Sequence, residues 1–180
     1  MATQLRVANQ EQLLYQVGDT IVHPVHGVGV IIRLDEMKQG EQSHRYYVLA
    51  TPDKVTVWIP VDTAAQCGMR PVVSASGFAV ASGILSSAAQ PLKEQAYERQ
   101  VEIRERLNQG TLEAICSIVR DLTVLRSSQR LNENDAKMLK RTRKLLLDEW
   151  VLVMEILQQE AESHLSGMLH ESMTLSSQQA

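Results

Sequence analysis

The chain has 180 residues, enough for one large domain or two small ones. Its formal net charge of −3 excludes a uniformly basic nucleic-acid coat, and its two cysteines, Cys67 and Cys116, have no CxxC partner, which excludes a zinc ribbon or disulfide scaffold. No basic stretch followed by an apolar run opens the sequence, and no run reaches membrane-spanning length, so a cytoplasmic protein without signal peptide is expected.

In chain order, residues 1–14 form a polar leader, expected to be disordered or a short helix. From 15 to 74 the signals are those of strands. Thr20 to Val22 and Val28 to Leu34 are β-branched runs separated by a Pro/His/Gly segment. Lys38 to Glu41 reads as a hairpin tip, and Arg45 to Ala50 as the next strand. Thr51 to Lys54 turns the chain into Val55 to Ile59, and Arg70 to Val73 suggests one more strand. Five short strands with tight turns predict a small barrel of SH3-like or Tudor-like type. Residues 75–91 are rich in Ser, Ala and Gly, and read as a linker or as a short helix around Phe78 to Leu85. The period then becomes helical over 92–164. Lys93 to Asn108 stops at Gly110, Thr111 caps a second helix, and Asn132 or Asn134 opens a third that runs from Asp135 to about His164. Residues 165–180 are expected to be a disordered tail. The predicted class is α+β: a β module followed by an all-helical one.

Charge is polarised along this order. Tyr15 to Ser74 holds five Lys/Arg against six Asp/Glu, whereas Arg120 to Lys144 holds eight basic residues against three acidic ones. After Leu145 there is no Lys or Arg. A basic block of this kind has a local field that the net charge conceals. Lys137, Lys140, Arg141 and Lys144 recur at i, i+3, i+4 and i+7, one stripe of a helix, opposite Met138, Leu139, Thr142, Leu145 and Leu146. That stripe is either a phosphate-contacting surface or a solvated face.

Catalytic signals are missing. His23-Pro24-Val25-His26 has HxxH spacing, but Pro24 and Gly27 make it a loop, and nothing supplies further ligands, so no metal site is expected. Gly27-Val28-Gly29 has no third glycine and no helix behind it; the glycines serve a tight turn and close backbone approach instead of a phosphate cradle. No GxSxG motif and no Cys–His pair with an orienting acid occurs, and no cofactor is implied. Trp58 is more informative. Alternation along Val55 to Ile59 sets Thr56 and Trp58 opposite the valines, so Trp58 is either an exposed interface anchor or packed under another part of the chain.

The segments GDTIVHPVHGVGVI (18–31), YYVLA, VTVWIPVD and GMRPVV together resemble the RNA-polymerase-interacting domain of CarD-like bacterial transcription regulators. Transcription-repair coupling factors carry a similar GD-x-VVH-x-x-HG-x-G opening. IVRDL (118–122) and AKMLKRTRKLLLDEW (136–150) resemble the CarD helical domain. The resemblance implies that the β module docks on the RNA polymerase β subunit partly by pairing strand edges, with Trp58, Thr56 and Arg45 as the contact residues. Trp58 stands where the family has a docking arginine. It also implies that the helical domain meets promoter DNA at the upstream edge of the melted bubble. The family's W-x-x-R-x-x-x-N pattern, whose tryptophan wedges into the minor groove, falls at Ala96, Arg99 and Ile103. Only the arginine is kept, with Tyr97 one place from the wedge position. The implied DNA contacts are Arg99, Tyr97, Lys137, Lys140, Arg141 and Lys144. A barrel-and-helix scaffold that binds protein but not DNA is the rival reading. An RNA-binding barrel is a third, weakened by the lack of basic charge and stacking aromatics in the β module.

Overall fold

The computed structural model describes residues 13–39 and 42–178. The leader expected at 1–14 falls mostly on residues 1–12, outside the described residues, as do positions 40–41 of the hairpin tip. Thr20–His23 (β1), Gly27–Gln39 (β2), Gln42–Ala50 (β3), Thr56–Pro60 (β4) and Arg70–Pro71 (β5) form one antiparallel sheet, in the order β4-β3-β2-β1-β5. The Pro/His/Gly segment is the β1–β2 turn. Gly27 takes φ +74°, and at Gly29 a Cβ would stand 2.8 Å from the Leu49 side chain and 2.9 Å from the Ala50 carbonyl oxygen, so both glycines are required where they stand.

Five antiparallel strands followed by helices are the α+β arrangement expected, with a Tudor-like β module; the sheet is not closed into a full barrel, because the two edge strands, β4 and β5, are not paired to each other. β5 is only two residues long and pairs with β1 alone, too short to bridge the gap. The core between them is completed by irregular chain. Ala64 and Met69 join Tyr15, Ile21, Ile31, Tyr47, Leu49 and Ile59 in one buried cluster. Tyr15 closes that cluster from below: its hydroxyl donates to the Met69 carbonyl at 2.8 Å, its backbone N–H donates to the Tyr47 hydroxyl at 3.1 Å, and the two rings meet edge-on at 5.8 Å.

The helical part has five helices: Ala75–Ser86 (α1), Ala96–Asn108 (α2), Leu112–Ser128 (α3), Glu133–Met154 (α4) and Gln158–Ser177 (α5). Residues 75–86 are thus a helix and not a linker. Ser74, Thr111 and Asn132 cap α1, α3 and α4 through side-chain oxygens that accept from the N–H three residues on. The helix expected to run to His164 ends at Met154, because Glu155 adopts the left-handed conformation (φ 51°, ψ 38°). Of the expected disordered tail, the stretch from 165 to 177 is helical and docked as the end of α5, whose Ala161, Leu165, Leu169 and Ser172 are buried, while 179–180 lie outside the described residues. Among the described residues no helix is long and apolar enough to cross a membrane.

The two parts are joined through α4 and the loops at Gly68 and Gly110. These glycines lie back to back, both at positive φ, and a Cβ on Gly110 would stand 2.6 Å from the Gly68 carbonyl oxygen. Beside them Arg70 reaches from the sheet to Glu149 of α4 with two bonds of 2.6 Å, and its Nε donates to the Gly110 carbonyl at 2.7 Å. Glu149 is fully buried.

Candidate protein and nucleic-acid interfaces

β4 is an edge strand, paired to β3 through Tyr46–Pro60 to Ala50–Thr56, which leaves its outer side without a strand partner among the described residues. Tyr47 and Leu49 point into the core, so alternation puts Val48 on the other face. Val48 is nevertheless fully buried, because its cross-strand partners Arg33 on β2 and Trp58 on β4 lie over it. The Arg33 guanidinium carbon sits 6.0 Å from the Trp58 ring centroid. Asp35 ties the pair: it accepts from Arg33 Nε at 2.9 and 3.0 Å and from Trp58 Nε1 at 3.1 Å. Trp58 keeps 42% of its surface exposed. Thr56 shares its face and is exposed. Arg45, opposite Glu36, alternates with Tyr47 and Leu49 and is half-buried, so it is not brought beside Trp58. The missed members of this surface are Arg33 and Asp35. Their spacing of two in a strand signals a shared face, but not which strand lies beside it.

His23 answers the HxxH question by its bonding. Its Nδ1 accepts from the N–H groups of Val25 (3.0 Å) and His26 (3.3 Å), so the ring caps the turn. Burial, with His26 and Arg141 nearby, lowers its pKa from 6.5 to about 4. Cys116 is buried, which pushes its thiol up to about 12 and leaves it without nucleophilic character at neutral pH.

On α4 the stripe forms as spaced, and its apolar side is buried at Leu139, Thr142, Leu145 and Leu146. Its cations are unequally engaged. Lys137 bonds Glu133 at 2.6 Å, one turn back. Lys144 bonds Asp148 at 2.7 Å and Asp53 of the β3–β4 turn at 3.1 Å; the bond to Asp148, aided by Asp53, raises its pKa against partial desolvation. Arg141 donates to the Pro24 carbonyl at 3.4 Å. Lys140 alone of the four has no partner among the described residues.

Arg99 requires a correction. It is only 5% exposed, and its guanidinium is spent on Asp135 (2.8 and 2.6 Å) and on the carbonyls of Lys93 (2.6 Å) and Glu94 (2.9 Å). It pins the start of α2 to the start of α4 and is not presented to a phosphate. Tyr97, by contrast, stands 78% exposed on the first turn of α2. The IVRDL segment is likewise internal. Arg120 bonds Asp121 at 2.8 Å, and Asp121 also accepts from Arg106 at 2.7 Å and from the Gln90 N–H at 3.0 Å.

Two family models match in the order of these modules: the CarD-like/TRCF RID domain over residues 15–73, and the CarD C-terminal domain over residues 81–166. A protein of Bacillus subtilis (strain 168) named "Putative transcription factor YdeB" is 25% identical over 151 residues, which cover 83% of this chain and 99% of that one. With both of its modules matched in sequence over most of its length, the chain belongs to the CarD-like family of transcription factors.

Proposed function

We propose that this chain regulates transcription by docking its sheet on the RNA polymerase β subunit and holding upstream promoter DNA with its helical part, so shifting the stability of the open complex. The observation that carries the reading is the open β4 edge with Trp58 exposed beside it, in the module matched by the TRCF RID model. A strand from the partner extends the sheet at β4, and Trp58 with Thr56 supplies side-chain contact where backbone pairing alone is indifferent to sequence. Arg45 lies further along β3, at the margin of that contact. In the helical part, solvent-facing basic side chains meet phosphates, which positions without reading sequence. Tyr97 is the exposed aromatic nearest the place of the family's wedge. Tethering to polymerase raises the effective concentration of a weak DNA binder, so free affinity is low and the ternary complex firm.

The test is a pull-down with purified β subunit. Trp58→Ala retains the fold, since Val57 and Ile59 still face the core, and loses most of the captured β subunit. Undiminished capture refutes the docking surface. A second reading, a scaffold that binds polymerase but not DNA, is favoured by the burial of Arg99 and the ion pairs on Lys137 and Lys144. Binding to a promoter fragment with and without polymerase separates the two. Contact only in the presence of polymerase, abolished by high salt, supports the first.

A further inference from the structure

Of the eight basic residues between Arg120 and Lys144, four are accounted for internally. Arg120 is buried on Asp121, Lys137 is paired with Glu133, Lys144 with Asp148 and Asp53, and Arg141 leans on the Pro24 carbonyl. The other four, Arg126, Arg130, Lys140 and Arg143, line a single cleft of about 500 Å³ between the end of α3, the α3–α4 turn and α4. None of the four has an ion pair or side-chain hydrogen bond among the described residues, and no carboxylate lines the cleft. The contrast with the neighbouring cleft is plain, where Asp53 and Asp148 stand beside Arg141 and Lys144.

Four cations around one opening repel each other, an arrangement that costs folding energy unless an anion is bound. Leu131 and Leu139 line the same opening and exclude water from one side, which strengthens the field there. Arg126, Arg130 and Lys140 are exposed and Arg143 half-buried, so the charged ends are open to a large ligand. Several separate cations without a bidentate acid match an extended row of phosphates better than one small anion.

We infer that this cleft, and not the Lys137–Arg141–Lys144 side of α4, is where the backbone phosphates of duplex DNA are held. The inference rests on the DNA half of the proposed function and names its site. Lys140 belongs to both the stripe and the cleft. The other three stripe cations serve the helix and its junction with the sheet.

The full-length chain is titrated against a labelled duplex of about 30 base pairs between about 50 and 200 mM salt. Four phosphate contacts give a log–log slope of about −3.6, a loss of about 150-fold across that range. Replacing Arg126 and Arg130 by Gln, two exposed side chains with no internal bonds, reduces the slope to about −1.8 and the loss to about 12-fold. The quadruple variant R126Q/R130Q/K140Q/R143Q flattens it, with circular dichroism and melting temperature unchanged or raised as the repulsion is relieved. K137Q/R141Q/K144Q leaves the slope as it was. The reverse pattern, a slope lost with the stripe and kept without the cleft, overturns the inference while sparing the proposed DNA contact. A flat response of the unmodified chain, alone and with polymerase, refutes both. Tighter, equally cleft-dependent binding of an RNA duplex overturns the assignment to DNA.

Discussion

The β1–β2 turn is held by one imidazole. With Nδ1 of His23 accepting two backbone N–H groups, a proton on that nitrogen breaks both bonds and places a charge beside Arg141 and His26. In the unfolded chain the ring takes its proton near pH 6.5, whereas the folded turn resists until about 4. Between those values the unfolded state binds more protons, so stability falls as pH is lowered through the interval and is insensitive to this group above it. The melting temperature is therefore expected to be flat from about pH 8 to 7 and to fall from 6.5 towards 4. His23→Asn, which can cap the same turn through its amide oxygen, shows a shallower fall. A ring signal that titrates at 6.5 in an NMR pH series rules the account out. The same residue shows what a motif can mislead about: two histidines three apart invite a metal, but the proline and glycine make the spacing that of a turn.

At the level of elements, most of the fold is legible because local signals agree with tertiary context. The helix caps at Thr111 and Asn132, the glycine turn and the strand runs all read from side-chain chemistry over a few residues. Two features do not. Closure of a barrel depends on the length of β5 and on which strands pair, and neither is encoded in the five apolar runs. The second is α5, hidden by a Ser- and Gln-rich composition, although Ala161, Leu165 and Leu169 recur at i+4 as on any buried helix face. The site is legible to a similar degree. Trp58 and the α4 stripe emerge from alternation and helical period, but the ion pairs that engage the stripe come from Asp53, Asp148 and Glu133, and those with the sheet cannot be read from α4 alone. Burial of α5 has a measurable consequence. Leu165 is fully enclosed by the helical core, so Leu165→Ala costs about 2–5 kcal/mol in a urea unfolding curve. A change within about 0.5 kcal/mol, as for a surface site, means that α5 is not docked in solution.

For the whole molecule, the question is whether the sheet proposed to dock on polymerase and the helical part proposed to hold DNA move as one, since a tether that fixes where the second site points adds to the gain from proximity. Arg70 and Glu149 are what fixes it. The carboxylate is fully buried, accepts two guanidinium bonds and lies near the Val73 N–H at 3.4 Å, while the same guanidinium holds the Gly110 carbonyl at the end of the α2–α3 connection. Removing one partner strands a buried charge, which costs about 3–5 kcal/mol, whereas removing both leaves apolar surfaces that pack at little loss. Arg70→Met is therefore expected to lower stability by that amount and to loosen the junction, with hydrogen exchange rising at the Gly68 and Gly110 loops before the two cores. Adding Glu149→Leu restores stability. It does not restore the bond to Gly110, so the double variant is stable yet free at the hinge. In that variant the sheet still captures the β subunit and the helices still bind duplex DNA with an unchanged salt slope, but the gain in DNA affinity on adding polymerase shrinks. An undiminished gain means that the tether works through proximity alone, and that the orientation held by Arg70 is dispensable.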